Sequence, residues 1–112
     1  MRAISKVASL SLAVLFVAPV FRGVIYSAQA APDPALGEKV YSAKRCAACH
    51  VIQGKGGKLG PPLSDIASKR DAQWLKTFLK DPKTIKPESK MSPFKGTDEE
   101  LESLIAYLLT LK

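Results

Sequence analysis

The sequence predicts a small all-α domain in which three to four helices surround a single attachment turn. Apolar residues recur at helical spacing in three separate segments, Pro34 to Arg45, Trp74 to Leu79 and Leu101 to Leu108. No segment alternates in the way a half-buried strand does, and there is no internal repeat. The third observation is the turn itself: both cysteines and the single histidine among 112 residues fall together in Cys46-Ala47-Ala48-Cys49-His50.

Residues 1–30 are set apart from that domain. Arg2 and Lys6 make a basic start, Val7 to Phe21 form an apolar run of 15 residues, and Ala28-Gln29-Ala30 has the small-x-small form of a signal-peptidase site. These features predict a signal peptide cleaved before Ala31, leaving a domain of residues 31–112. The competing expectation is an uncleaved membrane anchor. The run is short for a bilayer span, however, and it is interrupted by Pro19 and followed by Arg22. Both readings place the domain outside the cytoplasm, as a periplasmic or otherwise exported protein, or as a membrane-anchored one.

The first helix opens on Asp33, an N-cap acceptor, and on Pro34, whose missing N–H costs nothing in the first turn. Leu36, Val40 and Tyr41 then share a face with Gly37, which suits a second helix crossing closely there; the helix is expected from about Pro34 to Arg45. It delivers the cysteine turn. Positions i, i+3 and i+4 lie on one helical face, so Cys46, Cys49 and His50 can all address one flat object. Two thiols and an imidazole in that arrangement describe haem c, tethered by two thioether bonds, with His50 as an iron ligand. Other uses of the same residues stay open at this point. A structural zinc would need a fourth ligand and two ligands adjacent in sequence. A redox dithiol would need a βαβ setting, and a disulfide closing so short a loop would be strained.

From Val51 to Leu63 no periodicity survives, and four glycines with Pro61 and Pro62 predict a compact loop wrapping an edge of the core. It is not a phosphate loop, because the spacing is wrong and no strand precedes it. Asp71 caps a second helix whose Trp74, Leu75, Phe78 and Leu79 form one stripe, ended by Asp81-Pro82. Trp74 reads as a core wall. Lys83 to Gly96, with Pro87, Met91 and Pro93, reads as an irregular strap. Thr97 and Glu100 form a capping box, the acids Asp98, Glu99 and Glu100 suit the helix dipole, and Leu101, Leu104, Ile105 and Leu108 complete the last helix.

An iron held by His50 takes its other axial ligand from the opposite face. Elimination points to Met91: there is no second histidine, both cysteine sulfurs are consumed, and Met1 leaves with the leader. Water or a lysine such as Lys90 in that position is the competing reading, with Met91 then a gap-filling residue. With His50 and Met91 both bound, nothing reaches the metal without displacing the methionine, which suits outer-sphere electron transfer. A domain of this length buries little surface and needs a staple. The haem is expected to serve as one and the haem-free chain to be largely unfolded.

The whole chain carries a formal +7; removing Arg2, Lys6 and Arg22 with the leader leaves +4, before the haem propionates lower it further. Lys55, Lys58, Lys90 and Lys95 fall in the two loops flanking the proposed haem, and Glu99, Glu100 and Glu102 gather on the last helix. Interleaved charges and the lack of an aromatic stacking platform argue against a nucleic-acid partner. The lysines read either as a solvated surface or as a docking face for redox proteins with acidic surfaces.

Taken in order, Cys46-Ala47-Ala48-Cys49-His50, Gly60-Pro61-Pro62-Leu63, Trp74-Leu75 through Lys80-Asp81-Pro82, Lys90-Met91-Ser92-Pro93-Phe94 and Leu104-Ile105-Ala106-Tyr107-Leu108 resemble a class I monohaem bacterial cytochrome c. The resemblance spans essentially all of residues 31–112 and implies the small cytochrome c fold. It implies that Gly37 and Tyr41 cross against Leu104 and Tyr107, and that the Pro61 carbonyl accepts the Nδ1–H of His50. By the same resemblance the cofactor is bound by Cys46, Cys49, His50, Pro61 and Met91. One departure is Ser92, standing where many relatives have proline directly after the methionine.

The function expected is a monomeric one-electron carrier, not an enzyme, working between redox complexes. Its rival is a haem-bearing electron port within a larger oxidase or sulfur-compound-oxidising enzyme. A third possibility is a gas sensor or enzyme with a labile Met91. Membrane contact is expected only if the leader is retained.

Overall fold

Each long helix of the chain begins at a side chain that satisfies its first free amides. The computed structural model describes residues 11–18, 23–25 and 30–112. Helix α1 runs Pro34–Ala43, with the Asp33 Oδ1 accepting from the Ala35 amide at 2.9 Å. It stops two residues short of the expected Arg45. Lys44 leaves the helix and Arg45 takes a left-handed backbone, φ 58°, which turns the chain into a short 3-10 segment, Cys46–Ala48. Helix α2 spans Ala72–Lys80 and is capped by Asp71, whose Oδ1 accepts from the Trp74 amide at 2.8 Å. Helix α4 spans Asp98–Leu108 behind a complete capping box: Thr97 Oγ1 accepts from the Glu100 amide at 3.1 Å, and Glu100 Oε2 accepts from the Thr97 amide at 3.0 Å.

Two small elements depart from the expectations. The strap after Asp81 begins with one helical turn, α3, Pro82–Ile85. Asp81 ends α2 with its backbone amide, which donates to the Thr77 carbonyl at 3.1 Å, and starts α3 with its side chain, accepting from the Lys83 amide at 3.2 Å and the Thr84 hydroxyl at 2.9 Å. The glycine loop opens with a two-residue antiparallel ladder, β1 Val51–Ile52 against β2 Lys55–Gly56, pairing Val51 with Gly56 and Ile52 with Lys55. Gln53 and Gly54 connect the strands with φ 50° and 78°, the paired left-handed residues of a tight hairpin turn. Strands this short have no alternation to detect.

The core is built where α1 meets α4. Val40, Tyr41, Leu75, Leu79, Leu101, Leu104, Ile105, Leu108 and Leu111 are buried together, each leucine or isoleucine worth roughly 1.5–3 kcal/mol. Gly37 permits the crossing. A Cβ there would land on the Ser103 carbonyl oxygen and lie 2.7 Å from Tyr107 Cβ. The Asp33 amide donates to the buried Ser103 hydroxyl at 3.2 Å, and the Tyr41 and Tyr107 rings pack 5.8 Å apart at 60°. A Lys76–Glu102 ion pair ties α2 to α4, and the Ala67 amide donates to the Leu111 carbonyl at 2.9 Å, tying a second 3-10 turn, Ile66–Ser68, to the end of the chain. Among the described residues the architecture is all-α apart from the hairpin. The basic start of the predicted leader, its Pro19 and Arg22, and Ala28-Gln29 lie outside the described residues. No helix among the described residues is long and apolar enough to cross a membrane.

Candidate functional site

The cysteine turn is held by its own backbone. The Ala48 amide donates to the Arg45 carbonyl at 3.0 Å, and the amides of Cys49 and His50 both donate to the Cys46 carbonyl, at 3.2 and 3.0 Å. Both thiols are free; Cys49 is exposed, and Cys46 is half-buried against the core. Burial pushes the Cys46 thiol above the ordinary range, and Cys49 adds to that, against a lowering by a hydrogen bond from its own backbone. The Tyr41 hydroxyl donates to the His50 carbonyl at 3.4 Å. Burial, then Cys46 and Tyr107, push that phenol up to about 12, so it remains a donor.

The His50 Nδ1–H donates to the Pro61 carbonyl oxygen at 2.8 Å. A carbonyl oxygen only accepts, so this contact requires the proton on Nδ1 and leaves the Nε2 lone pair free for a metal. Gly60 makes the contact possible. A Cβ there would lie 2.5 Å from His50 Cε1 and 2.8 Å from Nδ1. The glycine loop is laced to the turn by amides of Gly57 to the Ala47 carbonyl, 2.8 Å, and of Gly60 to the Cys49 carbonyl, 2.7 Å. This use of Gly60 is absent from the sequence reading, where the only signal is a glycine directly before Pro61.

Met91 reaches the core from a different element, the strap after α3. It is half-buried against the core cluster, together with Ile52, Leu63, Ile66, Trp74 and Phe94. Its amide donates to the Ser89 hydroxyl at 3.3 Å, and three residues later the Phe94 amide donates to the Leu79 carbonyl at 2.7 Å. Trp74 stacks on Phe78 at 4.9 Å with 7° between the planes, and the Arg70 guanidinium lies 4.4 Å from the Trp74 ring. Lys55, Lys58, Lys90 and Lys95 are all exposed. Cys46, Cys49, His50 and Pro61 therefore form one knot, with Met91 on a separate strap.

The donor set fits a haem held through two thioethers better than the alternatives. Among the described residues no three His, Cys, Asp or Glu side chains converge as a metal site, so a structural zinc lacks its closed ligand shell. The cysteines are not bonded to one another. The sequence model of the family described as Cytochrome c matches residues 34–112.

The chain belongs to the cytochrome c family. Its cofactor is haem c, and Cys46, Cys49 and His50 supply the CxxCH motif through which the family attaches it. Cytochrome c-551 of Ectopseudomonas mendocina is 36% identical over 84 residues, covering 70% of this chain and all of that protein. Cytochrome c oxidase subunit 2 of Alkalihalophilus pseudofirmus is 27% identical over 85 residues, which are 68% of this chain; the chain spans only 25% of that relative's length. Among solved structures, SoxXA from P. pantotrophus superposes with a TM-score of 0.62 at 20% identity, over 74% of this chain and 84% of the other, and shares the fold. The cytochrome c domain, residues 34–112, thus contains every contact described for the knot and the strap.

Proposed function

We propose that this cytochrome c is an exported one-electron carrier whose haem is attached through Cys46 and Cys49 and ligated by His50 and Met91. The observation that carries the reading is the His50–Pro61 hydrogen bond, which orients the imidazole and leaves Nε2 available beside two free thiols. When bound, the haem supplies a one-electron ferric/ferrous couple. The protein's part is to hold the ligands still. Pro61 fixes the ring of His50, and the strap presents Met91 as the one remaining thioether of residues 31–112. Half-buried Ile52, Leu63, Ile66, Trp74 and Phe94 exclude water from the cofactor. Held by both His50 and Met91, the group would offer no site for substrate, and electrons would pass through contact with other proteins.

The deciding experiment is spectroscopic. Ferric protein should show the near-infrared methionine-to-iron band, Met91→Ala should abolish it, and the ferrous wild type should bind carbon monoxide slowly. Absence of the band together with rapid carbon monoxide binding would instead indicate a gas-binding haem with an open position. Residues 1–30 are proposed to be the export signal, and mass spectrometry of purified protein reports their fate together with the added haem. Lys55, Lys58, Lys90 and Lys95 are proposed to guide a monomer onto acidic partner surfaces, with charge acting mainly on the encounter rate. The association rate with a redox partner should then fall as salt rises, and a salt-independent rate would remove the lysines from docking.

The match to cytochrome c oxidase subunit 2 favours a second reading, in which the same domain is the electron port of a larger enzyme. A stoichiometric partner that co-purifies with the native protein would select it over the free carrier.

A further inference from the structure

Resting on the reading of Met91 as an iron ligand, we infer that Ser89 is a positioning residue that holds the methionine in place through its backbone. The local geometry runs in one direction. Lys86-Pro87-Glu88-Ser89 closes a turn in which the Ser89 amide donates to the Lys86 carbonyl at 2.9 Å. Pro87 occupies its second position, where a fixed φ presets the turn. That turn presents the Ser89 hydroxyl to the Met91 amide, which donates to it at 3.3 Å. Beyond the methionine, Pro93 has no amide to offer, and the next anchor is the Phe94 amide on the Leu79 carbonyl at 2.7 Å.

Met91 is therefore clamped between a side-chain acceptor two residues before it and a backbone bond three residues after it. The second clamp belongs to α2, part of the buried core, and is not removable by a side-chain change. The first depends on one hydroxyl. Ser89 is half-buried and belongs to the strap, outside α1 and α4, so replacing it leaves the α1–α4 crossing untouched. Loss of the acceptor frees the Met91 amide to rotate and lets the thioether leave the iron more often.

The test compares Ser89→Ala, Ser89→Val and Ser89→Thr in the haem-loaded protein. Threonine keeps the hydroxyl, and valine has nearly its shape without it. With alanine or valine, the carbon monoxide association rate of the ferrous protein should rise about fivefold, the size expected for one lost neutral hydrogen bond. The ferric near-infrared band should weaken, and threonine should restore both. Thr84→Ala, which removes the Thr84–Asp81 hydrogen bond in α3, should change neither, separating ligand positioning from general loss of stability. Wild-type rates and an undiminished band in both the alanine and valine variants overturn the role of Ser89 alone. A wild-type protein without the band, whose spectrum Met91→Ala leaves unchanged, overturns the ligation itself and this inference with it.

Discussion

A methyl group at position 60 would sit 2.5 Å from the Cε1 of His50, so the imidazole and the loop compete for the same space at any residue larger than glycine. Gly60→Ala should therefore push the ring off the Pro61 carbonyl, cost roughly 1–3 kcal/mol as overpacking does, and lower the fraction of purified protein that carries haem. Haem content against protein concentration checks this, and full loading with an unchanged melting temperature would show that the loop can yield. Tyr107 makes a different kind of prediction. Its phenol is held above the ordinary value, first by burial and then by Glu38, so the folded state favours the neutral form. That preference costs nothing below the unfolded-state pKa of about 10, where the phenol is neutral in both states, and stability is lost as pH rises past it. Melting temperatures should fall on the alkaline side of pH ~10, and Tyr107→Phe should remove part of that fall. Lys76, raised chiefly by its hydrogen bond to Glu102, acts in the same direction, since deprotonation breaks its ion pair.

The helices were legible in the sequence because their ends are written in short-range chemistry. Asp33 with Pro34, Asp71, and Thr97 with Glu100 each satisfy local amides whatever the rest of the chain does. The misses are of the opposite kind. Arg45 leaves the helix because the cysteine turn must be reached through a left-handed residue, a demand no propensity at Arg45 announces. The β1–β2 hairpin uses Gln-Gly in place of the common Asn-Gly, and α3 exists because Asp81 serves two helices at once. At the site, the cysteines and His50 declared themselves by spacing, whereas Gly60 and Ser89 act through distances that spacing does not encode. Helix crossing is the testable consequence at this scale. Gly37→Ala would drive a Cβ into the Ser103 carbonyl and force α1 away from α4, at roughly 1–3 kcal/mol. Urea unfolding of the haem-bound protein should show a lower midpoint with the same slope; an unchanged midpoint would mean that the two helices are not in the register described.

Among the described residues the buried core comprises only nine apolar side chains, all drawn from α1, α2, α4 and the residue Leu111. Domains of this size rarely reach useful stability from such a core alone. Ile52, Leu63, Ile66, Trp74, Met91 and Phe94 pack half-buried against it, and on the proposed ligation the haem would complete the core there. Chain produced without haem, or with Cys46→Ala and Cys49→Ala together, should accordingly lose most of its far-ultraviolet helical signal. A native-like spectrum in either preparation would show that the polypeptide holds its shape unaided. The double duty of Asp81 bears on the molecule as a whole. Because Asp81 closes α2 through its backbone amide and opens α3 through its carboxylate, while Thr97 and Glu100 start α4 by themselves, the peptide bridging the two long helices is bracketed like a cassette. Outside Ser89, Met91 and Phe94 its wording can drift while the frame that carries it stays as built.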